Sequence, residues 1–575
     1  MLDLLIRDAC LIDGTGAPAR NADIGVKDGR IAAIGSISDS ASRTIDADGR
    51  VLAPGFVDIH THYDAQVFWD PTLSPSCMHG VTSVITGNCG FSIAPLSQDA
   101  APYLLRMLAR VEGMPEASLE AGVPWNWESF ADYLDRLEGR VGLNIGVMCG
   151  HSAIRRTVMG KRGQTEQAGR EDLERMKSVL AESLAAGAMG FSSTISTTHN
   201  DADGNPVPSR AASREELIAL AGVCRDFPGT SLEFLPGIDP FDEPLMELMT
   251  QMSLAAERAL NWNAIGAQPG NEALVENQLS ATNYARKRGG EIIGLTLAAN
   301  ATVRLNLYSG FFFDSMPGWE GVFRLPVAER IELFKDPERR KELEAGPARM
   351  TGTGAGIARF ERYVVSDSSN SALVDQTLGD IAAREGKRVI DVMLDTAIAD
   401  ELRTVFSIQG AAADRDLWKR RGQIWQDDRA MIGASDAGAH LDMIDTFHYT
   451  SYLLGVARDQ DVITLEEAVH QLTGRPAEYI GLTERGQVKE GWHADLTLFD
   501  PETVAERQTQ VRHDLPGGEM RLYGDAEGIS HVLVNGQVIV EGGEHTGALP
   551  GKVLRSGRDT HTYRPKSFDK VAAVA

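Results

Sequence analysis

The sequence predicts an α/β protein, a (β/α)8 barrel of the TIM type joined to a small β-sandwich assembled from both ends of the chain. Two observations carry that expectation. Short apolar runs alternate with helix-forming stretches eight times through the middle of the chain, the rhythm of parallel β/α units. Both ends carry β-type runs joined by tight turns, Asp28-Gly29 near the start and Asn535-Gly536 near the finish. A chain of 575 residues also exceeds the roughly 250 to 300 that one core accommodates, so more than one domain is expected.

Taken in order, residues 4–6, 24–27 and 30–34 form the opening sheet. The eight barrel strands are expected at 55–60, 81–86, 143–149, 188–192, 230–235, 260–265, 291–295 and 430–435. Helix starts are marked by Ser213-Arg214-Glu215-Glu216 and Thr464-Leu465-Glu466-Glu467, both with the form of a capping box. Residues 300–402 are too long for one β/α unit and are read as an insertion before the eighth strand. Gly352 to Gly356 lacks the G-x-G-x-x-G spacing and a preceding strand, so it is read as a loop. Residues 494–499 and 531–540 return to β-type patterning. The expected division is therefore 1–53 with 487–550 as a composite sandwich, 54–486 as the barrel, and 551–575 as a tail draped over the surface.

Composition narrows the function classes. The 56 basic and 81 acidic side chains leave a formal charge of −25, which repels nucleic acid and anionic membrane over most of the surface. Five dispersed cysteines without a C-x-x-C pair read as thiols of a reducing compartment. No apolar run reaches the ~18 residues of a membrane span, and the start of the chain has no signal-peptide pattern. The expectation is a cytoplasmic homo-oligomer that acts on a small-molecule amide, with no nucleic-acid or membrane partner.

The chemistry concentrates at strand ends. In Val57-Asp58-Ile59-His60-Thr61-His62 the period of two puts both imidazoles on one side of the chain. At the C-terminal end of a barrel strand that side faces the active site. Imidazole is the commonest metal-ligating side chain, so a convergent pair is half of a metal site. On its own, H-x-H is equally two polar residues at a loop start.

Preceded by Ala53-Pro54-Gly55-Phe56, this segment resembles the amidohydrolase superfamily, whose first barrel strand carries a PGF-V-D-x-H-x-H signature. Gly486 to Leu496 resembles the return into the sandwich in the same superfamily. Within it, His79-Gly80-Val81-Thr82-Ser83-Val84-Ile85-Thr86-Gly87-Asn88-Cys89-Gly90 is similar to the N-acyl-D-amino-acid deacylase (D-aminoacylase) family. That resemblance implies a zinc-binding cysteine at Cys89, and a thiolate just past a strand is stabilised by a divalent cation. The other four cysteines read as small buried hydrophobes. Gly433-Ala434-Ser435-Asp436-Ala437-Gly438 matches the position of the superfamily's catalytic aspartate. Asp436 is therefore expected to ligate the metal and serve as general base, the alternative being a helix N-cap. Cys149-Gly150-His151-Ser152-Ala153-Ile154-Arg155 resembles the family's G-H-x-x-x-R segment, which makes His151 and Arg155 candidate substrate or oxyanion contacts, a structural polar role being the alternative for His151; His440 is a further candidate contact, the alternative being a loop histidine. His199, also past a strand end, reads as a loop histidine.

The chain departs from the family in three places. The further metal-binding histidines of the fifth and sixth strands are missing from Ser231-Leu232-Glu233-Phe234-Leu235 and Leu260-Asn261-Trp262-Asn263-Ala264. An H-P-R-type segment that binds a substrate carboxylate is replaced by Ala439-His440-Leu441-Asp442. The fourth strand has no lysine to carbamylate. The remaining set favours one Zn2+ or other divalent ion per chain, with Glu233 as an extra ligand. The reading is an amide hydrolase of the N-acyl (D-)amino acid deacylase kind, in which zinc activates water and Asp436 moves the proton. Two alternatives stay open, a cyclic amide or lactone hydrolase on the same site and a non-catalytic binding protein on the same fold.

Overall fold

The computed structural model describes residues 1–299, 302–310, 312–350, 356–409, 413–565 and 567–568. The glycine-rich residues 352–355, read as a loop, fall outside the described residues.

All eight expected strands are present, at β1 (Phe56–Asp58), β2 (Val81–Thr86), β3 (Asn144–Val147, continued by Cys149–Gly150), β4 (Gly190–Thr194), β5 (Ser231–Leu235), β6 (Leu260–Ile265), β7 (Ile292–Thr296) and β8 (Ala430–Ile432). Every residue of β2 is buried, as it must be in a parallel strand covered on both faces, and Val81, Val84 and Ile85 supply the branched side chains such strands favour. The pairing is parallel throughout. One sheet runs from β1 through β2 to β3, and a second from the continuation of β3 through β4, β5, β6 and β7 to β8. Beyond the strand ends, Thr61 forms a parallel bridge to Ala437. There the His62 amide donates to the Ala437 carbonyl at 2.8 Å, and the Asp436 amide donates to the His60 carbonyl at 3.2 Å.

The helices start where the capping signals lie. Ser213 Oγ accepts the Glu216 amide, and Thr464 Oγ1 accepts the Glu467 amide. Three helices matter for the site: α1 (Ala101–Val111), α2 (His151–Met159) and α3 (Arg214–Val223).

The two ends of the chain share one nine-stranded sheet, in which Val51–Pro54 pairs antiparallel with Leu496–Phe499. The segment between β7 and β8 contributes its own three-stranded antiparallel sheet, Thr302–Leu305, Val405–Gln409 and Val364–Asp367. A separate apolar cluster around Phe313, Trp319 and Tyr363 fills it.

The final segment differs from the surface tail that its sequence predicts. Val553–Leu554 pairs in parallel with the outer side of β3, both residues are buried, and the Ser556 amide bonds the Gly187 carbonyl ahead of β4. A two-residue strand carries no periodic pattern, and the exposed edge of β3 supplies the reason for it to form. Among the described residues no helix is long and apolar enough to cross a membrane.

Candidate metal centre

Four predicted residues meet just past the strand ends. His60 Nε2 lies 3.6 Å from Cys89 Sγ and 3.2 Å from Asp436 Oδ1, while His62 Nε2 lies 3.7 Å from the same Asp436 oxygen. One donor atom each from His60, His62 and Cys89 falls within 4.8 Å of the others. A tetrahedral ion with bonds of 2.0 to 2.3 Å needs donors about 3.3 to 3.8 Å apart; the 3.6 and 3.7 Å separations fall in that range and the 3.2 Å one lies just under it. Two imidazoles, one sulfur and one carboxylate are donors that zinc accepts. His60 Nδ1 is buried without a hydrogen-bond partner, its nearest acid being Glu233 Oε1 at 4.0 Å. The residues present thus fit a divalent cation.

Local backbone geometry puts them there. Cys89 sits at φ 54°, ψ 14°, in the left-handed region that few non-glycine residues occupy. The turn is held by Asn88 Nδ2, which donates to the Thr61 and Ile85 carbonyls at 3.0 Å each, and by the Cys89 amide, which donates to Glu233 Oε2 at 2.7 Å. Asp436 is also left-handed, at φ 52°. Gly438 lets its loop close down, because a β-carbon there would lie 2.7 Å from the His62 backbone. Strain of this kind costs of order 1 kcal/mol or more per residue and persists where surrounding contacts over-determine it.

The side chains of the site are buried, with Asp436 the exception. His60, His62, Glu112 and Glu233 expose 4% of their side chains or less, whereas Asp436 exposes 28%. Burial would push the Asp436 carboxyl up, but hydrogen bonds and charge from His60 and His62 hold it well below the usual carboxylate range. Burial also depresses His60, which favours the neutral ligating form. In His62 the same effect is outweighed by Glu112, Asp436 and Asp64, which lift it to about 9. Burial, reinforced by neighbouring acids, pushes the Cys89 thiol well up and raises Glu233 to about 8. A dication reverses this balance, because it favours the deprotonated form of every acid around it.

The other predicted residues are placed differently. Expected as substrate contacts, His151 and Arg155 on α2 are instead enclosed: His151 Nδ1 meets Ser193 Oγ and Nε2 meets Glu216 at 2.8 Å each, and Arg155 binds both oxygens of the same Glu216. Both are 0% exposed. The G-H-x-x-x-R spacing puts them one turn apart on a helix face, and that face turns toward α3. His440 follows Asp436 closely, and burial together with the charge of His62 lowers it to about 4, against the pull of Asp436. His199 is buried against Phe91, with ring centroids 4.9 Å apart.

Two residues of the site lack a sequence signal of the strand-end kind. Asn263 brings Nδ2 to 3.3 Å from His60 Nε2, in the sixth strand where no histidine stands. Glu112 caps the C-terminal end of α1 and puts Oε1 3.3 Å from His62 Nδ1. An acid at a helix C-terminus opposes the macrodipole, and that mismatch is the one local hint of it.

Comparison with known proteins bears on the same constellation. A model of the amidohydrolase family matches residues 43–540. A D-aminoacylase of Alcaligenes xylosoxydans xylosoxydans is 30% identical over 570 residues, 96% of this chain and 97% of that protein. Among solved structures, a D-aminoacylase superposes with a TM-score of 0.66 at 25% identity, covering 96% of this chain and 100% of the other. The N-acyl-D-glutamate deacylase of Bordetella bronchiseptica, complexed with zinc and a phosphonate that mimics the tetrahedral intermediate, superposes with a TM-score of 0.65 at 26% identity, covering 96% and 100%.

Proposed function

The chain belongs to the amidohydrolase family, hydrolases of C–N bonds outside the peptide backbone, and from that premise we propose that it is a zinc-dependent deacylase of N-acyl amino acids. The observation that carries this reading is the clustering of one donor atom each from His60, His62 and Cys89, with Asp436 against both imidazoles and more exposed than either. We take the ion to be single, because Glu233 and Asn263 stand on the fifth and sixth strands in place of neutral nitrogen donors. The two parallel sheets are read as one closed barrel. Support comes from Met148, which carries β3 from one sheet to the other, and from the Thr61 bridge to Ala437 at the opposite seam.

His60, His62, Cys89 and Asp436 would hold the ion. What a bound zinc supplies is Lewis acidity toward the scissile carbonyl and the attacking water. Asp436, held ionised by the two imidazoles, accepts the proton of that water as its oxygen joins the carbonyl carbon. It then returns the proton to the nitrogen as the C–N bond breaks, leaving a carboxylic acid and an amine. The buried walls keep other water away and strengthen each electrostatic contact.

A substrate carboxylate has cations to meet. A cavity of about 250 Å³ is lined by Arg110, Asn200, Arg210, Phe323 and Arg324. Arg110 stands two residues before Glu112, and Arg210 bonds the His199 carbonyl at 3.0 Å, which ties the cavity wall to the helix that carries Glu112 and to the loop that carries His199. Arg110 is paired with Asp314, while Arg210 and Arg324 form no ion pair among the described residues. These guanidiniums offer what the missing H-P-R-type segment does not.

The test is Asp436→Asn. The amide keeps the shape and an oxygen for the metal but accepts no proton at neutral pH. Turnover should fall by roughly a hundredfold or more, the scale of a lost general base, while the protein stays folded and binds substrate. Activity within a few-fold of wild type removes Asp436 from the mechanism.

A further inference from the structure

An imidazole can turn one ring nitrogen to a metal when the other carries the proton, and that proton needs an acceptor. His60 has no such acceptor, since its Nδ1 is unpartnered. His62 does. Its Nε2 points to Asp436 Oδ1 at 3.7 Å, and its Nδ1 lies 3.3 Å from Glu112 Oε1, with both side chains only 4% exposed.

The backbone of Glu112 ties the same two elements together. Its carbonyl accepts the His440 amide, four residues beyond Asp436, and its own amide closes α1 on the Leu108 carbonyl at 2.9 Å. The next residue, Gly113, is left-handed at φ +57°, and a β-carbon there would lie 3.2 Å from His440 Cα. Close packing of the helix end on the Asp436 loop therefore requires glycine at this position. The acid is a poor residue for the helix itself, because it meets the negative end of the dipole. Its burial beside His62 is explained by what it does there.

We propose that Glu112 is a positioning residue for the metal centre. It keeps His62 in the tautomer with hydrogen on Nδ1, so that Nε2 presents its lone pair to the cluster. Through the His440 amide it also sets the spacing between His62 and Asp436. This inference rests on the metal-centre reading above.

The test is a double-mutant cycle on zinc affinity, measured by competition with chelators on the full chain. Glu112→Gln keeps shape and removes charge, and it should weaken zinc binding roughly 10- to 100-fold, the scale of outer-shell carboxylates. In a His62→Ala background the same substitution should change affinity less than twofold, because its target is gone. Zinc affinity within twofold of wild type in Glu112→Gln overturns the proposal, as does an equal loss in both backgrounds, which marks a general structural effect. If His62→Ala itself keeps wild-type affinity, the metal-centre reading fails and this inference fails with it. Should Glu112→Gln not fold, 15N-histidine NMR of the zinc-loaded wild type decides the point. A protonated Nδ1 on His62 supports the proposal, and an unprotonated Nδ1 sinks it.

Discussion

At the scale of single residues, the account rests on two imidazoles that share one point in space. Substituting His60→Ala or His62→Ala removes one donor of four, so the purified protein should carry no zinc and hydrolyse nothing, binding zinc only weakly when it is titrated in, while the far-UV circular dichroism of the fold persists. Metal retained at wild-type stoichiometry in either variant would contradict that role. These candidate ligands were legible because each stands where an apolar run stops, so its position in the chain also tells that it lies at the C-terminal end of a parallel strand. Glu112 and Asn263 were not. The first comes from a helix cap and the second from a strand whose own pattern is ordinary, and only tertiary packing brings them to His62 and His60. His151 and Arg155 were visible as a motif but not as a buried pair, since spacing on a helix face does not say which neighbour covers it.

That buried pair gives a pH prediction. Burial would raise the Glu216 carboxyl, yet hydrogen bonds and charge from His151 and Arg155 hold it below its ordinary value. Of the two partners Arg155 carries the effect, because a guanidinium keeps its charge at any working pH, whereas burial depresses the His151 imidazole. A depressed carboxyl contributes stability that is fully present above its unfolded value of about 4.3 and is lost as pH falls below it. A depressed histidine adds to the loss below its unfolded value of about 6.5. Comparing melting temperatures of wild type and Glu216→Gln between pH 7 and pH 3 checks this, with the gap widest at neutral pH and closing in acid. A gap that stays constant would remove Glu216 from the account.

At the scale of elements, β2 and β6 occupy the expected residues to the letter; in β2 a dense branched and apolar run leaves little choice of register. β1 is shorter than its apolar run, since the chain leaves the ladder to aim His60 and His62 inward. The final segment was the least legible. Two residues carry no periodicity, and the need for them arises from an edge of β3 some 400 positions earlier in the chain. Burying Val553 and Leu554 is worth about 1.5 to 3 kcal/mol each. Truncation after Pro550 should accordingly lower the melting temperature by several degrees, and a change within one degree would show that the segment is dispensable.

At the scale of the whole molecule, both ends of the chain close one sheet, and the segment between β7 and β8 folds around its own apolar cluster beside the Arg-lined cavity. The α/β class was legible from alternation and turns alone, since those are local. That one cavity gathers several guanidiniums was not, because Arg110, Arg210 and Arg324 come from three separate parts of the chain. The central claim is that this site hydrolyses a linear amide with one bound zinc. It is tested most directly by the release of free amine from N-acyl-D-amino acids, N-acyl-L-amino acids and cyclic amides, using protein of measured zinc content. The account predicts about one tightly bound zinc per chain and turnover of linear N-acyl amino acids that vanishes when the metal is stripped. Turnover confined to cyclic amides, or full activity in zinc-free protein, would contradict it.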